Sequence, residues 1–154
     1  MPAEGVPKDG TPQSRVGARM KAAGEAVGIA FTGLCDRYPN SLGAHALLQY
    51  AAEVAPAKQN ELQEVLFRQY FTDGVCPMGA SLAAAAAEVG LDGEAARKYA
   101  EAEANQRAVA THAREISRSG VTGVPFFYVN GKPAFSGAQS PSAFLQVIEE
   151  AARG

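Results

Sequence analysis

From Ser14 to about residue 119, apolar side chains recur at intervals of three and four, the period of helices that bury one stripe. Ser14 caps a predicted helix to about Val27, with Val16, Met20, Ala23 and Val27 on one stripe and Gly17 and Gly24 working against it. The loop GIAFTGLCDRYPN follows, and Pro39 disfavours helix just before it. Asn40 or Ser41 caps the next helix, with Ala44, Leu47, Leu48 and Ala51 inward and Pro56 as its end. Leu62, Val65, Leu66 and Tyr70, with the neighbouring Phe67 and Phe71, mark another helix, and the three aromatics read as helical core. After the turn TDGVCPMG, ASLAAAAAEVG is a short helix closed by Gly90. Asp92 caps a helix to about Ala102, and Asn105 starts or extends one with Val109, Ala113 and Ile116 inward. Residues 1–13, polar and rich in Pro and Gly, read as loop or disordered chain.

The last part differs in kind. FFYV, residues 126–129, is apolar without alternation, the pattern of a strand covered on both faces. Asn130-Gly131 is a strong hairpin signal, because both turn positions need positive φ. KPAFS, residues 132–136, returns antiparallel, and Pro133 puts that strand at a sheet edge. Ser140 and Pro141 open a final helix carrying Phe144, Leu145, Val147, Ile148 and Ala151 on a broad apolar face. A lone hairpin is marginal in water, so strand 126–129 calls for a partner on its other edge. Upstream the nearest candidate is GIAF, 28–31, which is short and flanked by Gly. Either another chain supplies the missing strands, or the sequence begins partway through a domain.

Composition narrows function mainly by exclusion. A net charge of −2 over 154 residues gives no electrostatic reason to expect nucleic acid or an anionic membrane as a partner. No apolar run approaches about 18 residues. MPAEGVPKDGTPQS lacks the basic-then-apolar pattern of a signal peptide, so a cytoplasmic protein is expected. The two cysteines, Cys35 and Cys76, form no CxxC and no metal-ligand spacing with a histidine. They are expected as free thiols in or near packed helices, with a regulatory disulfide as the lesser alternative. Cys76 precedes Pro77 in a turn that could leave its thiol exposed.

GVTGVPFFYVNGKPAFSGAQ, followed by an apolar helix, resembles the C-terminal part of DsbA-family thioredoxin-fold proteins. The FrnE-like oxidoreductases are the nearest group, with hydroxychromene carboxylate isomerases and kappa-class glutathione transferases as cousins. PNSLGAHALLQYA, LFRQYFTDG and AAEVGLD are similar to successive pieces of that family's inserted helical domain, and MPAEGVPK to the segment after its second strand. The resemblance implies an α/β thioredoxin-like fold with an inserted helical domain. Residues 1–13 would be loop, 14–119 the helical insertion, and 120–154 the C-terminal part with hairpin and final helix. It also implies N-terminal truncation, because the family's first strand, CxxC helix and second strand have no counterpart here.

In the resembling family the proline matching Pro125 is cis beside the active-site cysteines, and the preceding backbone pairs with an extended substrate peptide. Thr122, Gly123, Val124 and Pro125 are therefore the substrate-binding candidates. Cys35 and Cys76 do not match the catalytic positions, so no catalytic residue carries over, and no metal site does. His45 falls at the family's "AH" motif beside an apolar face, and the structural reading is preferred to a functional one. The implied activity is thiol–disulfide exchange by the family, with this chain inactive alone. The alternatives are a glutathione-dependent isomerase or transferase relative, and a non-catalytic binding module pairing through the edge of 126–129. No cofactor is expected, with glutathione the one candidate. Expected partners are a protein or small thiol or disulfide substrate, and a homodimer formed through the exposed strand edge.

Overall fold

The computed structural model describes residues 5–153, so Met1–Glu4 of the expected N-terminal loop lie outside the described residues. From Gly5 onward that loop is more ordered than its composition suggests. β1 (Val6–Pro7) pairs antiparallel with β2 (Arg37–Tyr38), and α1 (Pro12–Arg15) follows β1 in the chain. Tertiary contacts supply this order. The Lys8 N–H donates to Asp36 O at 2.7 Å, and its ammonium lies over the rings of Tyr38 and Tyr70, donating to Tyr70 Oη at 3.0 Å.

The helix expected from Ser14 to Val27 is broken. α1 ends at Arg15, Val16 and Gly17 are extended, and α2 spans Ala18–Glu25. Its expected stripe is not the buried face, since Met20 is 53% and Val27 71% exposed. The buried position is Gly24. A Cβ there would stand 2.5 Å from both Ile29 O and Phe31 Cδ2, so α2 packs through its glycine onto the chain that follows. Propensity counts Gly24 as a cost; close approach is the reason it is there.

The middle of the chain follows its periodicity. α3 (Leu42–Val54) begins where the Leu42 N–H donates to Asn40 Oδ1 at 3.2 Å, and it buries Ala44, Leu47 and Ala51. Pro56 ends it and opens a single 3-10 turn, Pro56–Lys58. α4 (Gln59–Phe67) buries Leu62, Val65 and Leu66. It then widens into a π turn, Arg68–Asp73, which closes on Gly74 at φ +78°. Widening moves the stripe out of register. Phe67 and Phe71 are consequently exposed rather than in the core, which corrects the sequence reading, while Tyr70 is half-buried. α5 (Ala80–Glu88) and α6 (Gly93–Glu101) complete the core around Leu47, Leu62 and Leu82. Asp92 caps α6 by accepting from the Glu94 and Ala95 N–H groups, both at 3.0 Å. Alanines line the seam, and a Cβ on Gly93 would meet Ala83 O at 2.6 Å, so α5 and α6 nearly touch backbone to backbone.

α7 (Glu103–Arg118) buries Val109, but Ala113 and Ile116 are exposed, contrary to the inward assignment. One compact unit ends within this helix at Ala110, and a second begins at Thr111. The second holds β3 (Phe126–Val129), β4 (Lys132–Ser136) and α8 (Pro141–Arg153). Asn130 and Gly131, at φ +50° and +75°, make the tight turn. Phe127 lies opposite Phe135 and Tyr128 opposite Pro133, so a bulge leaves Ala134 unpaired. Ser140 Oγ accepts from the Ala143 N–H at 3.3 Å at the start of α8. Phe127, Phe135 and Phe144 then pack mutually with ring centroids 4.7–4.9 Å apart.

Among the described residues this sheet has two strands. None of 126–129 is fully buried and Tyr128 is exposed, as are Leu145 and Ile148 on α8. The expectation of a strand covered on both faces does not hold here, because one helix can cover only one face of a hairpin. GIAF remains irregular, whereas the pairing of 6–7 with 37–38 carries too few residues to show a period.

Candidate functional site

Thr122, Gly123, Val124 and Pro125 join Gly120, at φ +101°, to β3. All four are exposed, and Val124 is 87% exposed. The Val124–Pro125 peptide bond is cis. Pro125 O accepts from the Gly137 N–H at 2.8 Å, which ties the end of this loop to the exit of β4. Among the described residues, the backbone N–H and C=O groups of Thr122, Gly123 and Val124 have no hydrogen-bond partner. A run of exposed, unpaired backbone groups leading into a strand can add an extended peptide by main-chain hydrogen bonding.

His45 belongs to the first unit, in the opening turn of α3. Its Nδ1–H donates to Ser41 O at 2.7 Å, which leaves Nε2 as the acceptor nitrogen of the neutral ring. The side chain is exposed at the edge of a cavity of about 310 Å³ that Ala44, Leu48, Leu66, Tyr70 and Pro77 also line. No carboxylate lines that cavity among the described residues, so no acid–base partner orients the ring there. The exposed aromatics misread from the sequence have a place too. Phe67 and Phe71, with Ile29, Phe31, Met20 and Arg68, line an apolar cavity of about 660 Å³, and Phe31 meets Phe71 edge to face at 5.4 Å.

The cysteines are arranged differently from their expected places in or near helices. Cys35 lies in the chain before β2 and Cys76 in the turn after the π segment. Both are free thiols; Cys35 is 2% exposed and Cys76 half-buried. The two thiols are hydrogen-bonded to each other. Their segments are laced together: the Thr32 N–H donates to Phe71 O at 3.1 Å, Thr32 Oγ1 to Thr72 O at 2.8 Å, and Thr72 Oγ1 to Ala30 O at 3.0 Å. A separation of 41 positions carried no signal for this contact in the sequence.

Burial pushes the Cys76 thiol up from 9.0 to about 11, and the Cys35 thiol beside it adds to the rise; Arg37 opposes it weakly and Asp36 reinforces it. Thiolate, the reactive form, is therefore about a hundredfold scarcer than in an ordinary cysteine at neutral pH. Alkylation of Cys76 by iodoacetamide in the folded chain is expected to be slower by about that factor, rising about tenfold per pH unit. Because the folded thiol holds its proton more tightly than the unfolded one, its contribution to stability is present below pH 9.0 and is lost as the pH rises towards about 11. A rate equal to that of the unfolded chain in urea would contradict this environment.

Among the described residues no cluster of His, Cys, Asp and Glu could hold a metal ion, and no helix is long and apolar enough to cross a membrane. A family model described as a DSBA-like thioredoxin domain matches residues 4–149. No curated protein matches the chain significantly.

Proposed function

We propose, for a chain that belongs to the DsbA-like thioredoxin-domain family, that Thr122, Gly123 and Val124 receive an extended peptide by strand addition. The fold is the thioredoxin-like α/β fold with a helical insert, and the family is broadly one of thiol–disulfide oxidoreductases. The observation that carries the proposal is the exposed, unpartnered backbone of 122–124 leading into β3. The finer FrnE-like reading draws its support from the motifs GVTGVPFFYVNGKPAFSGAQ and PNSLGAHALLQYA.

The chemistry divides accordingly. Exchange with a substrate disulfide needs a thiolate of lowered pKa. These 154 residues contain no CxxC, and Cys76 is held as a thiol with its pKa near 11, the opposite poise. The part assigned to this chain is therefore recognition of the polypeptide substrate, not attack on its sulfur. Titration of the isotopically labelled full chain with extended, cysteine-containing peptides is expected to shift the amide resonances of Thr122, Gly123 and Val124 in a saturable way. Saturable binding that leaves those three resonances unmoved would sink the proposal.

A further inference from the structure

We propose that Cys35 and Cys76 form a dithiol site that closes to an intramolecular disulfide by exchange with a small-molecule disulfide such as oxidised glutathione. Closure would latch the chain before β2 to the turn after the π segment.

The geometry already holds both sulfurs in place. Cys35 Sγ donates to Arg37 O at 3.4 Å, which fixes the side chain of the buried partner. On the other side, Cys76 O accepts from Ser81 Oγ at 2.7 Å and from the Met78 N–H at 2.8 Å, and the Val75 N–H donates to Gln69 O at 2.7 Å. Gly74 allows the two strands of chain to close on each other, for a Cβ there would stand 3.1 Å from Cys35 N. Together with the Thr32–Thr72 lacing, these bonds fix the backbone on both sides of the thiol pair, so a bridge needs no large rearrangement. The same two segments, through 28–31 and 67–72, form facing walls of the larger apolar cavity. The bridge would bear on how far those walls can part.

Exposure sets the order of events. Cys76, the more accessible sulfur, loses its proton and attacks one sulfur of the small disulfide. That forms a mixed disulfide and expels one small thiolate, which takes up a proton. Cys35 then loses its proton and attacks Cys76 Sγ, forming the Cys35–Cys76 bond and expelling the second small thiolate, which is protonated in turn. Two protein thiols are oxidised by two electrons, and one small disulfide is reduced to two thiols. The scarcity of Cys76 thiolate makes the first step slow and distinguishes this pair from a catalytic dithiol.

The test is equilibration of the full chain in reduced and oxidised glutathione at mildly alkaline pH, acid quench, alkylation and mass analysis. Expected is one transition from two alkylatable thiols to none, with the tryptic peptide 22–37 joined to 69–97. Cys35→Ser should stop at a stable glutathione adduct on Cys76, whereas Cys76→Ser should leave Cys35 unmodified until the chain is unfolded. Two results overturn the proposal: a wild-type glutathione adduct that persists in excess oxidant, or a disulfide-linked dimer in place of the internal bridge. Thermal unfolding of the wild type is a second reading that needs no variant. The oxidised chain should melt higher than the reduced one, and a lower melting temperature would show a bridge the fold does not accommodate.

Discussion

Leu47→Ala is expected to destabilise the helical unit by about 3–5 kcal/mol, read as a fall in the urea midpoint by far-UV circular dichroism. Leu47 is fully buried on α3 and belongs to the cluster that holds Leu62 on α4 and Leu82 on α5. Removing it forfeits the transfer energy of the lost atoms and leaves a cavity besides. The surroundings decide how much of that cavity can collapse. Much of the core near this seam is alanine, at positions 85, 86, 96 and 100, and alanine has no side-chain rotamer that could swing into a void. The loss should therefore fall in the upper half of the usual range. Val54→Ala on the same helix is the control, because Val54 is exposed and should change stability by no more than about 0.5 kcal/mol. Equal losses from the two would mean that α3 does not face the core as described.

Gly74→Ala should cost about 2–4 kcal/mol by the same measurement, for two separable reasons. The residue ends the π segment in the left-handed region, at φ +78°, where an L side chain costs roughly 1–2 kcal/mol. A Cβ would also overlap Leu34 Cβ and stand 3.0 Å from Leu34 C and 3.1 Å from Cys35 N. Backbone atoms cannot rotate aside, so relief must come from parting the two segments. Gly90→Ala isolates the first cause: φ is +82°, but nothing lies within 4 Å of the added carbon. It should cost about 1 kcal/mol. Gly74→Ala should also speed alkylation of Cys76, since parting 34–35 from 74–76 admits water to the thiol. Equal losses from the two glycines would leave the close approach at Gly74 without support.

The parts of the fold that were legible from the residues rest on chemistry confined to a few neighbouring positions. Asp92 caps α6 because its carboxylate reaches N–H groups two and three residues on. Asn130-Gly131 turns because both residues tolerate positive φ. Ser140-Pro141 starts α8, and Pro56 ends α3, for equally local reasons. The stripe Ala44, Leu47, Ala51 could be assigned inward because a regular helix repeats its own geometry. The Thr122–Pro125 loop was found through its motif rather than through any period, and the family match over 4–149 supports the fold that motif implied.

Other features depended on residues far apart in the chain. Gly24 looked like a weak point until Ile29 and Phe31 were found against it. Phe67 and Phe71 left the core because one π turn rotates everything after it, and no residue in RQYFTD announces that widening on its own. Lys8 orders a Pro-rich segment only because Tyr38 and Tyr70 are brought beneath its ammonium. The thiols of Cys35 and Cys76 meet because Thr32, Thr72 and Gly74 close one loop upon another. Helix, turn and cap are decided over distances of a few residues, where backbone geometry leaves few choices. Which loops touch, which glycine is filled by a neighbour and which thiol loses its water are decided only when the chain has packed, because their energies belong to contacts and not to residues.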